Sequence, residues 1–152
     1  MMNKWFECKV KYVKMMENGL EKPVTETYLV DALSFTEAEK RFLEEIRPFM
    51  SGEFEVTGIK PVKFSDVYYC DLESADKWFK CKLSFITLDE KSGAEKKTSS
   101  YTLVQAGDLR EAIKYLDENM KGTLGDYVIA AVTETTIMDV YPYDASIEVS
   151  KA

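Results

Sequence analysis

The sequence contains no histidine. That excludes the Ser-His-Asp and Cys-His arrangements, in which an imidazole takes the proton of the nucleophile. It also removes the commonest metal ligand. Cysteine is scarce. Cys8, Cys70 and Cys81 stand 62 and 11 residues apart with no Cys-x-x-Cys pair, which matches no zinc ligand set. Free thiols in a reducing, cytoplasmic setting are the expectation. No apolar run approaches the roughly 20 residues of a membrane-spanning helix, and the first eight residues lack the apolar core of a secretory signal. The Gly-x-x-x-x-Gly-Lys-Ser/Thr phosphate cradle is missing too. These absences predict no cofactor, no metal site and no membrane contact.

What is present is a repeat. Trp5-Phe6-Glu7-Cys8-Lys9 returns as Trp78-Phe79-Lys80-Cys81-Lys82. Ser34-Phe35-Thr36-Glu37-Ala38 is answered by Asp108-Leu109-Arg110-Glu111-Ala112, and Asp66-Val67-Tyr68 by Asp139-Val140-Tyr141. The offset is 73 at the start, 74 through the central stretch and 73 again at the end. The chain therefore reads as a tandem duplication of one module of about 70 residues.

Charge is even between the copies. Residues 1–73 carry a net −4 and residues 74–152 a net −3, giving −7 for the 152 residues. An acidic chain with no basic arm is a poor general ligand for nucleic acid, whose affinity comes from neutralised phosphates.

Each copy has the same order of signals. Phe6, Cys8, Val10 and Tyr12 alternate with Trp5, Glu7, Lys9 and Lys11, the period of a half-buried strand. Asn18-Gly19 marks a hairpin, and residues 24–31 form the return strand. Ser34 and Glu37 make a capping box, followed by an apolar stripe of Phe35, Ala38, Phe42, Ile46 and Phe49. Residues 54–57 are a third strand. Gly58 and Pro61 interrupt it, so residues 62–69 form a fourth strand, or the same one after a bulge, with Pro61 at an edge or bulge.

The second copy repeats this with Asp108, Glu111 and a stripe of Leu109, Ala112, Ile113, Leu116 and Met120. Strand residues from Tyr127 to Val132 continue through Thr133 to Val140. The predicted fold is α+β: two β-β-α-β-β modules, each an antiparallel sheet packed by one helix, related by a pseudo-twofold axis. The predicted boundaries are residues 1–70, a linker at 71–77, residues 78–145 and a tail at 146–152. The two repeats are expected to pack as one unit, because a lone module of this size is marginal.

Three stretches resemble a known family. They are Tyr28-Leu29-Val30-Asp31-Ala32-Leu33-Ser34-Phe35-Thr36-Glu37-Ala38-Glu39, Leu103-Val104-Gln105-Ala106 and Met138-Asp139-Val140-Tyr141-Pro142-Tyr143. Together they are similar to short domain-of-unknown-function proteins of gut bacteria of the Bacteroides group and their phages. The resemblance spans nearly the whole chain and implies no activity, ligand or functional residue.

The candidate sites follow from the repeat. Asp66 and Asp139 are equivalent, and an axis between modules would bring these carboxylates together, with Glu134 nearby in sequence, to hold Mg²⁺ or share a proton. Against this, each aspartate can simply end a strand. The outward face of the first strands carries Trp5, Lys9 and Lys11, repeated as Trp78, Lys80 and Lys82. Such a face suits the centre of a protein interface or stacking on single-stranded nucleic acid; alternatively, each Trp covers the partner module. The leading expectation is a non-enzymatic binding or adaptor module with a protein partner. A metal-assisted phosphodiester or nucleotide enzyme at Asp66 and Asp139 is the alternative, and a single-strand nucleic-acid binder a further one.

Overall fold

A computed structural model describes residues 4–123 and 125–142. The tail expected at 146–152 lies outside the described residues. The alternating segment at the start forms β1 (Lys4–Met15), which turns at Gly19, φ +83°, into β2 (Glu21–Ala32). Helix α1 (Phe35–Ile46) ends in a 3₁₀ turn at Arg47–Phe49 that contains Pro48. Then come β3 (Phe54–Val62) and the short β4 (Asp66–Tyr68). The second copy gives β5 (Lys77–Leu88), β6 (Glu95–Ala106), α2 (Leu109–Met120), β7 (Asp126–Glu134) and β8 (Ile137–Tyr141).

Among the described residues the fold is α+β, with two four-stranded sheets and one helix packed on each, in repeated β-β-α-β-β order. The last strand of each copy, however, leaves its own sheet. One sheet runs β3-β1-β2-β8 and the other β4-β6-β5-β7. The chain accordingly divides into one compact unit of residues 1–63 and 136–152 and another of residues 64–135. Each sheet is mixed rather than wholly antiparallel, because β8 pairs parallel to β2 and β4 parallel to β6. The continuous strands expected over residues 62–69 and 133–140 are broken instead. β3 runs through Gly58 and Pro61 to Val62, and β7 ends at Glu134. Gly58 and Pro61 do not end β3 because it is an edge strand: Pro61 needs no outward partner there, and Thr57 is accommodated as a bulge opposite Lys9 and Val10.

The helix starts show why the modules begin as they do. The Glu37 amide donates to Ser34 Oγ at 3.2 Å, and Glu37 Oε1 accepts from the Leu33 amide at 3.2 Å. The second copy repeats both bonds: the Glu111 amide donates to Asp108 Oδ1 at 2.8 Å, and Glu111 Oε1 accepts from the Gly107 amide at 2.9 Å. A cap of this kind stabilises by about 1 kcal/mol. Below it, Ala38, Phe42 and Ile46 of α1 are buried against Phe6, Cys8, Val10 and Val30. Ala112, Leu116 and Met120 of α2 are buried against Phe79, Cys81, Leu83 and Val104. The expected stripes took in more residues than the sheet covers. Phe35, Phe49, Leu109 and Ile113 are exposed, since the buried line on each helix is the i, i+4, i+8 row Ala38-Phe42-Ile46 and Ala112-Leu116-Met120 and these four lie off it.

The copies differ where a glycine replaces a leucine. A Cβ on Gly107 would lie 2.6 Å from the Ser74 carbonyl oxygen and 2.8 Å from Glu111 Oε1, whereas its counterpart Leu33 is exposed. Gly107→Ala is therefore expected to cost about 1–3 kcal/mol through overpacking, while Leu33→Ala costs little. Equal urea midpoints for the two variants would contradict this.

The exchanged strands make a second prediction. Residues 1–73 keep β4 without β6 and lack β8; residues 74–152 keep β8 without β2 and lack β4. Expressed apart, each half should be largely unfolded by far-ultraviolet circular dichroism. A cooperative melt from either half would show the exchanged strand to be dispensable.

Candidate functional site

The alternation of β1 places Trp5, Glu7, Lys9, Lys11, Val13 and Met15 on the face away from α1. The other set, Phe6, Cys8 and Val10, is buried beneath that helix. Exposure rises along this face. Trp5 and Glu7 are half-buried, beside Asp31 and the fully buried Leu29 of β2. Lys9 and Lys11 are exposed, and Val13 and Met15 reach 57% and 63%. Glu7 sits between two lysines, with Lys9 Nζ and Lys60 Nζ each 3.9 Å from its Oε1. These distances describe weak surface pairing that leaves both ammonium groups hydrated.

The second copy does not reproduce this surface. Trp78 is only 2% exposed, with the Tyr69 ring edge-on at 5.7 Å between centroids. The Trp78 carbonyl also accepts from the Thr135 amide at 2.9 Å and hydroxyl at 2.8 Å. A buried indole cannot stack on a ligand, so Trp78 drops out of the binding face. The sequence held a signal for this. Tyr69 aligns with Pro142 across the repeat, so the second copy has no ring equivalent to the one that packs on Trp78. Lys80 is exposed, with its Nζ 4.6 Å above the Tyr101 ring in a cation–π contact, and Lys82 is half-buried.

The carboxylate pair is redistributed by the strand exchange. Asp66 on β4 pairs with Thr102 of β6, and Asp139 on β8 pairs with Tyr28 of β2. They therefore belong to different sheets, each on an edge strand and each exposed. Asp139 Oδ1 accepts from the Val140 amide at 2.9 Å. Each carboxylate also raises the pKa of the tyrosine two positions on, Tyr68 and Tyr141, secondary to burial of those rings. Glu134 lies at the end of β7, opposite Phe79. Among the described residues no three His, Cys, Asp or Glu side chains gather as metal ligands would.

Two features went unread in the sequence. One is a tyrosine group on the helix side of the first sheet. Tyr141 from β8 stacks on Tyr28 at 5.8 Å and 9°, and the Tyr28 hydroxyl donates to Glu26 at 3.1 Å. Burial, with Asp139 next, pushes Tyr141 up to about 12, and burial with the Glu26 carboxylate raises Tyr28 as well. The other is a cleft of about 340 Å³ between the start of α1 and the β3 edge, lined by Phe35, Thr36, Glu39, Val56, Thr57, Gly58 and Ile59. The Phe35 ring, 53% exposed, stands at its wall and meets Phe6 edge-on at 5.2 Å.

Residues 4–143 match the family described as Domain of unknown function (DUF4494). The chain belongs to this family. No curated protein and no solved structure matches it. The DUF4494 match runs across both copies, so the family's unit is the duplicated chain and not the single module.

The thiols of this DUF4494 chain follow their burial. Burial pushes Cys8 up to about 12, with the Glu7 charge adding to it, and Cys81 up to about 11. Cys70 is half-buried, and its backbone amide donates to Gln105 Oε1 at 2.9 Å. A thiol reagent at pH 8 should therefore label Cys70 before Cys8 or Cys81. A pKa raised by folding means that the folded state holds its proton more tightly. The stability involved is complete below about pH 9, the unfolded thiol value, and is lost as pH climbs through about 11 and about 12. The variant Cys8→Ala/Cys81→Ala should lose less stability over that range, with tyrosines whose pKa folding also raises, Tyr28 and Tyr141 foremost, contributing to the rest of the loss. Denaturant midpoints measured from pH 8 to 11 check both statements.

Proposed function

We propose that this chain is a non-enzymatic binding module of the adaptor kind, whose partner is another protein. The observation that carries the reading is the exposure gradient along β1. Trp5 and Glu7 anchor the proximal half of the face, while Lys9, Lys11, Val13 and Met15 stand free at its distal half. An exposed apolar pair, Val13 and Met15, beside a pair of lysines suits a protein surface with an apolar patch next to acidic groups. On a chain of net charge −7 these lysines are the minority sign. They orient an acidic partner toward this face and disfavour approach elsewhere. The methionine adds a flexible, polarisable contact of the kind used at adaptable interfaces. Lys80, Lys82 and Leu88 extend the reading to the second copy on a smaller scale, since Trp78 is withdrawn from it. A cytoplasmic setting goes with this reading and is supported by the three free cysteines. So does the Bacteroides-group and phage context implied by the three family-like stretches.

A photo-crosslinking residue at Val13 should capture a partner in cells more efficiently than one at Ser92, an exposed position in the second hairpin turn. With that partner purified, Lys11→Glu/Val13→Asp should weaken binding at least tenfold by calorimetry with an unchanged melting temperature. Equal capture at both positions, or wild-type affinity in the double variant, would sink the proposal. Tight one-site binding of Mg²⁺ or Mn²⁺ that Asp139→Asn abolishes would move the reading to the enzyme at Asp66 and Asp139. Salt-sensitive binding of single-stranded oligonucleotide that Lys9→Glu weakens would move it to nucleic acid.

A further inference from the structure

The cleft beside α1 differs from the β1 face and shares no residue with it. Among the described residues β3 is an edge strand bonded to β1 alone, so alternate residues along it turn N–H and C=O groups outward. Pro61 removes one donor near the end of the strand, which leaves the run from Phe54 to Lys60 as the available edge. The Thr57 bulge lies within this run, where the cleft opens toward Phe35 and Glu39 of α1. The site therefore combines unpaired strand backbone, an apolar wall of Phe35, Val56 and Ile59, and one carboxylate. Among the described residues Glu39 has no ion-pair partner.

The second copy isolates what matters in this lining. Phe54, Val56 and Ile59 of β3 are matched by Tyr127, Ile129 and Val132 of β7, with a bulge at the equivalent place, Ala130. The helix side has changed. Arg110 stands for Thr36 and Ile113 for Glu39. One copy thus presents an anionic cleft and the other a cationic position on the same scaffold.

We infer that the α1–β3 cleft of the first copy binds an extended segment of another protein as an added strand on the β3 edge. An aliphatic side chain of the segment enters the cleft, and a lysine or arginine two positions along meets Glu39. Strand addition supplies the backbone bonds, and side chains on alternate positions supply the choice of sequence. The i, i+2 spacing follows because those residues share one face of a strand. Charge selects the occupant. Glu39, together with a net charge of −7, favours a basic segment over a second copy of this acidic chain. The volume suits one branched aliphatic side chain and its backbone, and lies at the low end of ligand pockets.

The test is nuclear magnetic resonance on the full chain, titrated with the peptide Thr-Lys-Thr-Ile-Thr-Lys-Thr. Saturable shifts are expected at the amides of Val56, Thr57, Gly58 and Ile59 and along the first turn of α1. The amides of Val13 and Met15 should not move, which separates this site from the β1 face. A peptide with glutamate for both lysines should bind at least tenfold more weakly. The variant Thr36→Arg/Glu39→Ile, which imports the helix residues of the second copy, should lose binding at least tenfold while keeping its melting temperature. If that variant melts early, Glu39→Gln, which keeps the helix and removes only the charge, serves in its place with the same expected loss. The inference is overturned by an absence of saturable shifts up to millimolar peptide, by equal binding of the glutamate peptide, or by shifts confined to other edges.

Discussion

The structure depends on one pairing, repeated: a short C-terminal strand laid parallel along the second strand of a sheet belonging to the other copy. β8 does this on β2 and β4 does it on β6. Without these strands the β2 and β6 backbones would be open edges, a liability for any sheet protein. β8 also brings Tyr141 to stack on Tyr28, and the Arg41 guanidinium donates to the Asp31 and Pro142 carbonyls beside it. β4 brings Tyr68, whose hydroxyl donates to Met120 Sδ at 3.7 Å, and leads to Tyr69 on Trp78. Parallel strands cannot be joined by a tight turn. Here the chain between each strand and its partner is long enough for the reciprocal arrangement. It is the exchange of a swapped dimer carried out within one covalent chain.

Duplication has left a common scaffold on which the copies have diverged at the surface. The cap bonds, the buried helix positions and the edge bulges at Thr57 and Ala130 are shared. The differences are single substitutions with local causes. Gly107 admits the Ser74 carbonyl where Leu33 points to solvent, and Tyr69, which packs on Trp78, is replaced by Pro142 in the second copy. A scaffold fixed by capping and core packing tolerates such changes because they fall outside the helix–sheet core. The two faces of β1 are divided in the same way. Phe6, Cys8 and Val10 are tied to α1, while Lys9, Lys11, Val13 and Met15 on the other face stay exposed.

Much of this was legible in the sequence because it is local or periodic. The repeat, the alternation of β1 and β5, the Asn18-Gly19 turn and both capping boxes rest on contacts between residues a few positions apart. The candidate site was legible only in part. Which residues share the outer face of β1 follows from period two. How far each is buried does not, because that depends on what lies over the sheet. Trp5 and Trp78 begin pentapeptides that differ only at Glu7 and Lys80, yet end with different exposure. The α1–β3 cleft was not legible at all, since it is made by residues about 20 positions apart that only the β1–β3 register brings to the helix.

By itself, the sequence determined the α+β class, the number of modules, the order of elements in each and the helix starts. All of these are set by side-chain periodicity and by hydrogen bonds spanning three or four residues. Only the tertiary structure decided which sheet receives β4 and β8. A strand of three or five residues carries too little pattern to specify its partner, and both copies offer the same kind of edge. That choice in turn put Asp66 on the sheet of the second copy and Asp139 on the sheet of the first, and placed Tyr69 on Trp78. Those outcomes come from long-range backbone pairing, which no local spacing encodes.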